Sequence, residues 1–183
     1  MVDVAVCPIP RDAMPLWIDV HLTGDVAQAP RRATAGSAGF DLCAAEGCVI
    51  QTGTRRLVGT GVRLSMHATE KGIGGASVPP SLGVYARVAP RSGLAVKGID
   101  VAAGVCDQDY QGEYKVLLVN NSGGPFVVLP GDRIAQLVFE TCHTDVRVSV
   151  VSEASKLRYG TDGTDGTPGS GVRGEGGFGS TGA

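Results

Sequence analysis

The sequence lacks the long apolar runs that a membrane protein needs. No stretch approaches the roughly 18 consecutive apolar residues of a membrane span, and residues 1–20 do not place a basic segment before a continuous apolar run, as an export signal does. We therefore expect no membrane partner and a cytoplasmic location, with a nuclear location open if the source is a eukaryotic cell or its virus.

Positive charge is not in excess either. The formal net charge is −2, and the isoelectric point of the sequence is near 5.9. Surfaces that follow the phosphates of a nucleic acid are rich in Lys and Arg, so this balance argues against a nucleic-acid partner. If the protein handles phosphate groups, it must do so in a local pocket.

The cysteines lack the spacing of a metal site. They are odd in number and scattered, and no CxxC pair has a matching second half. We predict free, mostly buried thiols in a reducing compartment: Cys7, Cys43, Cys48, Cys106 and Cys142. A zinc site built from Cys43, Cys48 and a distant histidine is the alternative, although each histidine is isolated in the sequence.

A sustained helical period is also missing. From Leu16 to Val151 the chain is a series of short β-branched or alternating runs, separated by Gly, Pro, Asn, Asp or Ser. These runs are LWIDVHL, GCVIQT, RRLVGTGVRL, GVYARVAP, YKVLLVN, PFVVLP, RIAQLVFE and VRVSVV. The pattern predicts an all-β sandwich, jelly roll or barrel, with one short helix over Ser92–Lys97.

The length of 183 residues suits one domain with an appendage. We predict a β domain over residues 1–154, with a surface excursion at 67–80 that is rich in Gly, Ala and Pro. Residues 155–172, with their repeated TDG, have the composition of a flexible tether. Residues 173–183, RGEGGFGSTGA, place an arginine and an aromatic ring among glycines, and we interpret them as an arm that closes on a ligand.

Two glycine-punctuated clusters lie in the first part of the β domain. AGFDLCAAE places Asp41 after a Gly-Phe pair, and a simple turn or cap aspartate remains an alternative there. VAPRSGLAVKG offers the forked guanidinium of Arg91, with Ser92 and Gly93 at the start of the predicted helix. That arrangement outlines a cradle for an anion, and an ordinary Pro-Arg-Ser-Gly turn is the alternative.

Two further clusters follow. IDVAAGVCDQDYQGEYKV places Asp107 close to Tyr110, where a carboxylate could orient a water molecule or a ligand hydroxyl; a solvated hairpin tip is the alternative. In PGDRIAQLVFE, Arg133 and Gln136 point to opposite faces of a strand unless a bulge intervenes. We therefore expect these two residues to have different roles.

The four clusters and the terminal RGEGGFGSTG resemble the five ordered motifs of the trimeric dUTPases, from about Ala38 to the C-terminus. The resemblance implies a distorted jelly-roll β-barrel and a homotrimer with a swapped C-terminal arm. One subunit supplies the first, second and fourth motifs to a shared site, a neighbour supplies the third, and the arm of the remaining subunit closes it.

The implied activity is hydrolysis of dUTP to dUMP and pyrophosphate by Mg²⁺-assisted, in-line attack of water on the α-phosphate. Such an enzyme limits uracil incorporation into DNA and supplies dUMP for dTMP synthesis. The magnesium ion is expected to be held mainly by the substrate phosphates and water, with Asp41 contacting it through a bound water. An alternative is a catalytically silent binding or regulatory protein on the same scaffold. Another is dCTP deaminase, whose catalytic glutamate would fall near Leu117, where the chain has no acid.

The resemblance also assigns roles to single residues. Asp107 would orient the attacking water, and Gln136 and Arg173 would complete the catalytic set. Tyr110 would pack against the deoxyribose, Phe178 would stack on uracil, and the main chain from Gly104 to Lys115 would read the base. The residues expected to contact substrate are Arg91, Ser92, Gly93, Gly104, Tyr110, Lys115, Phe178, Gly179, Ser180 and Thr181.

Overall fold

The computed structural model of the protein describes residues 16–68, 82–144, 146–150 and 152. This part of the chain contains twelve strands and one short helix. In chain order they are β1 (Leu16–Leu22), β2 (Arg31–Arg32), β3 (Phe40–Cys43), β4 (Cys48–Ile50), β5 (Arg55–Val58), β6 (Val62–Ala68), β7 (Leu82–Ala89), α1 (Ser92–Ala95), β8 (Ile99–Val101), β9 (Val105–Cys106), β10 (Val116–Asn120), β11 (Phe126–Val128) and β12 (Arg133–His143).

The described strands form four antiparallel sheets, not one closed barrel. The largest has five strands in the order β2-β3-β12-β7-β9, and a three-stranded sheet has the order β5-β10-β8. Two strand pairs, β1-β6 and β11-β4, complete the set. The prediction of an all-β fold is therefore confirmed.

The sheets share one hydrophobic core, and the alternation of side chains along each strand explains how. In β10, Val116, Leu118 and Asn120 are buried, whereas the two residues between them are half-buried. Buried residues from β3 to β12 join these in a single cluster. Asn120 is the polar exception, and its side-chain amide donates to the carbonyls of Ile50 and Gly124, 2.8 Å away in each case. These bonds compensate the loss of hydration.

Most of the predicted runs form strands, and the predicted helix is present. RRLVGTGVRL is two strands, β5 and β6, because the segment Gly59–Gly61 turns the chain between them. The short helix is present as α1, and hydrogen bonds from Lys97 and Gly98 to Leu94 and Ala95 extend it by a turn.

The predicted strand VRVSVV is wrong for the residues that the structure describes. Residues 146–150 have no regular structure, and Val146, Val148 and Val150 are 70%, 87% and 93% exposed. The alternating pattern suits a half-buried strand, but a strand also needs a neighbour for its N–H and C=O groups, and none of the described strands pairs with this segment. The segment belongs to the second of two compact units, Met1–Asp145 and Val146–Ala183.

Several predictions concern residues outside the described part. These are residues 1–15, most of the excursion at 67–80, the whole tether at 155–172, and the arm at 173–183 with Arg173, Phe178, Gly179, Ser180 and Thr181. The domain boundaries at 154 and 172 likewise stay predictions. Within the described ranges, no helix has the length and apolar character needed to cross a membrane.

Candidate active site

The third sequence cluster folds around a pocket, called the hairpin pocket below. The connection from β8 through β9 to β10 lines a cavity of about 300 Å³. Its walls come from residues 102–107, from Tyr110, from residues 113–115 and from Leu57, Val88 and Leu117. This volume lies at the lower end of the range of about 300–1,000 Å³ for small-molecule sites.

The main chain at the pocket wall is held in a fixed shape. The N–H of Ala102 donates to the carbonyl of Leu117 at 2.9 Å, and the N–H of Val88 donates to the carbonyl of Gly104 at 2.8 Å. A Cβ atom on Gly104 would lie 2.3 Å from the carbonyl oxygen of Val88, so only glycine allows this approach. Ala103 has a φ of 59°, a strained conformation of the kind that concentrates at ligand sites.

Asp107 and Tyr110 lie together on the turn that follows β9. The N–H of Tyr110 donates to the carbonyl of Asp107 at 3.1 Å, and both residues line the pocket. Both side chains are exposed, so they face the space into which a ligand would extend. Lys115 also lines the pocket, and its Nζ is 3.6 Å from Glu113 Oε2.

Cys106 lies beside Asp107 and lines the same pocket. Its side chain is half-buried, and burial raises the pKa of the thiol, with a smaller contribution from the negative charge of Asp107. The described cysteines, Cys43, Cys48, Cys106 and Cys142, are free thiols and half-buried. In the described ranges, no three His, Cys, Asp or Glu side chains cluster in a way that could hold a metal.

A second group of predicted residues lies around Asp41 and is called the arginine group below. Nε of Arg91 donates to Asp41 Oδ1 at 2.9 Å, and Nη1 of Arg133 donates to Oδ2 at 3.2 Å. Arg91 Nη1 also donates to the main-chain carbonyl of Arg133 at 3.0 Å. Both carboxylate oxygens are engaged, so Asp41 orients two guanidinium groups. Its contact with a magnesium-bound water stays a prediction.

β12 contains a bulge, which the sequence analysis named as a possibility between Arg133 and Gln136. Its pairing with β3 shifts register between Arg133 and Ala135, so Arg133 can turn toward Asp41. Gln136, beyond the bulge, donates from Nε2 to the carbonyl of Pro90 at 2.9 Å. Arg133 and Gln136 therefore have different contacts, as expected, and both reach the segment that begins with Pro90.

Ser92 and Gly93 are exposed at the start of α1, directly after Arg91. A Cβ atom on Gly93 would meet no atom within 4 Å, so the main chain there is open to a ligand. The structure thus brings Arg91, Ser92, Gly93, Gln136 and Asp41 into one neighbourhood. In the described part of the chain, no hydrogen bond or ion pair joins this group to Asp107 or Tyr110.

Glu113 and Tyr114 lie within the predicted base-reading segment, but the sequence analysis assigned no role to their side chains. Glu113 Oε1 accepts the N–H of Gly61 at 2.8 Å, and Tyr114 is 1% exposed at the pocket. The alternation of apolar residues from Tyr114 to Leu118 could have indicated the burial of Tyr114. No sequence signal indicates the contact of Glu113 with a glycine more than fifty positions away.

Comparison with known proteins agrees with this architecture. The family model described as dUTPase matches residues 25–77 and 73–168. A deoxyuridine 5'-triphosphate nucleotidohydrolase of Eremothecium gossypii is 41% identical over 166 residues, which are 90% of each chain. The protein of the same name from Candida albicans is 40% identical over 167 residues, 90% of this chain and 87% of the relative.

Among solved structures, the Staphylococcus bacteriophage 80alpha dUTPase with dUPNHPP superposes with a TM-score of 0.69. It is 22% identical and is matched over 91% of this chain and 99% of its own. At that identity the likeness supports the fold alone. The resemblance in the sequence motifs is confirmed by the family match and by the curated relatives. The chain belongs to the dUTPase family.

Proposed function

We propose that this protein hydrolyses dUTP to dUMP and pyrophosphate by in-line attack of water on the α-phosphate, with Mg²⁺ bound to the phosphates. The observation that carries the proposal is the pocket of about 300 Å³ that the hairpin main chain encloses, with Asp107 and Tyr110 at its opening. Membership of the dUTPase family supports the same reaction.

The pocket suits uracil because residues 102–104 contribute mainly main chain to its wall. Ala102, Ala103 and Gly104 carry little or no side chain, so a base can approach their peptide groups closely. Cytosine reverses the donor and the acceptor on its pairing edge and would leave buried polar groups unpaired. Such a mismatch can discriminate by about 10⁴ or more.

The phosphates need positive charge and hydrogen-bond donors, because phosphoryl transfer depends mainly on positioning and electrostatic stabilisation. In this proposal Arg91, Ser92 and Gly93 contact the phosphates, and Asp41 holds the guanidinium group of Arg91 in place. From the arm, Arg173, Ser180 and Thr181 add further contacts, while Phe178 and Gly179 cover the base. Asp107 orients the attacking water.

Magnesium prefers oxygen ligands and usually keeps several waters. The described acids do not form a cage for it: Asp41 is paired with two arginines, and Asp107 lies apart from that pair. The residues therefore fit an ion held by phosphates and water, with the Oε1 of Gln136 as an acceptor for a metal-bound water. When bound, the ion neutralises phosphate charge.

No described hydrogen bond or ion pair joins Asp41, Arg91 or Gln136 to Asp107 or Tyr110, which supports a site assembled from several copies. We propose a homotrimer in which the hairpin pocket of one copy faces the arginine group of a neighbour. The arm of the remaining copy then closes over the substrate. Exposed apolar residues on the first unit, such as Val49, Val127 and Leu129, provide surface for such contacts.

The direct test is pyrophosphate release from dUTP, dCTP, dTTP and UTP, with and without Mg²⁺. Release from dUTP alone, dependent on Mg²⁺ and lost in Asp107→Asn, is the expected result. Asp107→Asn removes the charge and keeps the shape, and Asp109→Asn, at an exposed neighbouring position, is the matched control. No release from any nucleotide would instead support a catalytically silent scaffold.

A further inference from the structure

Tyr114 is fully buried next to the hairpin pocket, with 1% of its surface exposed. Its main chain is held by hydrogen bonds with the β5–β6 loop and with the first residue of β6. The N–H of Tyr114 donates to the carbonyl of Val62 at 2.8 Å, and the hydroxyl of Thr60 donates to the carbonyl of Tyr114. The preceding Glu113 accepts the N–H of Gly61 at 2.8 Å. These bonds fix the position of the Tyr114 Cα atom, from which the ring extends.

The ring of Tyr114 contacts the ring of Tyr110 edge to face. The two centroids are 5.6 Å apart and the ring planes make an angle of 65°, the arrangement that aromatic pairs favour. Tyr110 itself is 43% exposed and lines the pocket. One tyrosine thus faces the ligand space, and the other supports it from the core.

Other contacts of Tyr110 leave it little room to move. Its hydroxyl donates to the carbonyl of Glu113 at 3.0 Å, and its N–H bonds to Asp107. A Cβ atom on Gly112 would lie 2.4 Å from the Tyr110 hydroxyl, so the ring is already in close contact with the chain there. With Tyr114 in place, Tyr110 cannot withdraw toward the core.

The hydroxyl of Tyr114 contributes little to this support. It is buried, and no described residue forms a hydrogen bond with it. Burial also raises the pKa of this phenol to about 12, so it stays uncharged. A buried hydroxyl without a partner is unfavourable, so the ring, and not the hydroxyl, is the part of Tyr114 that supports Tyr110.

We propose that Tyr114 is a positioning residue that sets the sugar specificity of the pocket. Its ring keeps Tyr110 forward, so that Tyr110 leaves no space for a 2′-hydroxyl on the bound nucleotide. This inference rests on the proposed function, because it requires a deoxynucleotide whose sugar packs against Tyr110.

The experiment compares kcat/KM for dUTP and for UTP in the wild type and in Tyr114→Leu, Tyr114→Met and Tyr114→Phe. Leu and Met keep an apolar side chain but remove the flat ring, and the ratio of the two values should fall roughly tenfold, mainly because UTP is accepted better. Phe keeps the ring, and the ratio should stay within about twofold of the wild type. Val128→Ala, a buried position on β11, controls for a loss of stability and should keep the ratio.

Several outcomes would overturn the inference. One is an unchanged ratio of kcat/KM for dUTP to kcat/KM for UTP in a folded Leu or Met variant. Another is a Phe variant that loses as much selectivity as the Leu and Met variants. Equal loss in Val128→Ala would reduce the effect to stability. A wild type that hydrolyses neither nucleotide would overturn the proposed function itself, so the two failures are distinguishable.

Discussion

At the scale of single residues, Gly39 determines the position of Gln136. A Cβ atom on Gly39 would lie 2.1 Å from Gln136 Oε1 and 3.0 Å from its Cβ. Because the second of these atoms is close to the main chain, rotation of the Gln136 amide alone would not relieve the contact. The glycine of the first cluster and the glutamine of the fourth therefore depend on each other.

We expect Gly39→Ala to lower kcat/KM for dUTP by about ten- to a hundredfold, since displacing a site residue by about 1 Å can have that effect. The hydrogen bond from Gln136 to Pro90 should be lost with it. Gly36→Ala is the matched control, because a Cβ atom there meets nothing within 4 Å. Equal kinetics in the two variants would contradict a dependence of turnover on the packing of Gly39 against Gln136.

Single residues also show what the sequence could and could not predict. Asp41, Arg91 and Arg133 were each recognised, but their ion pairs join positions 50 and 92 apart, and no local pattern reports such separations. The buried support of Tyr110 by Tyr114 depends on which face of a strand meets the core. Roles that depend on distant contacts therefore needed the structure.

At the scale of elements, β7 and β12 form the longest pairing among the described strands, from Gln136 opposite Ala89 to His143 opposite Leu82. On this ladder Glu140 lies opposite Tyr85 and diagonal to Arg87. Arg87 Nε donates to the two oxygens of Glu140 at 3.0 and 3.1 Å, and the Tyr85 hydroxyl also donates to the carboxylate. Cross-strand pairs of this kind stabilise a sheet.

The hydrogen bonds from Arg87, and then from Tyr85, lower the pKa of Glu140 from 4.5 to about 2. A carboxylate whose pKa is lower in the folded state stabilises the fold above its unfolded pKa, and this contribution is lost as pH falls through the folded pKa. The Tm of wild type should therefore exceed that of Glu140→Gln above pH 5, and the difference should shrink as pH falls from about 4.5 toward 2. Thermal unfolding across this pH series measures it.

Asp25→Asn, on an exposed turn, controls for the change in net charge. A Tm difference between wild type and Glu140→Gln that is constant from pH 6 to pH 2 would show that the carboxylate charge does not stabilise this pairing.

The strands differ in how clearly the alternation of apolar and polar residues predicts them. Runs of five or more residues with one face on the core, such as β10 and β12, carry a pattern that the sequence shows. The two-residue strands β2 and β9 are too short to show a period. VRVSVV carries the period but has no described partner strand, so alternation alone did not make it a strand.

At the scale of the whole molecule, no described hydrogen bond or ion pair joins Asp41, Arg91 or Gln136 to Asp107 or Tyr110. Apolar side chains on paired strands also remain exposed, such as Val49 and its register partner Val127, each at 54%. Family membership could be predicted from the order of the motifs. Assembly is a property of several copies, and in the sequence it is indicated only by the resemblance.

The most direct test of a shared site mixes two inactive variants. One is Asp107→Asn with its arm intact, and the other is a chain truncated before Arg173; each alone should hydrolyse dUTP about 10³–10⁵ times more slowly than wild type. In a trimer whose sites take Asp107 and the arm from different copies, co-refolding equal amounts should restore about a quarter of wild-type activity. Activity that stays at the level of the separate variants, or a truncated chain that is fully active as a monomer, would contradict a site built from several copies.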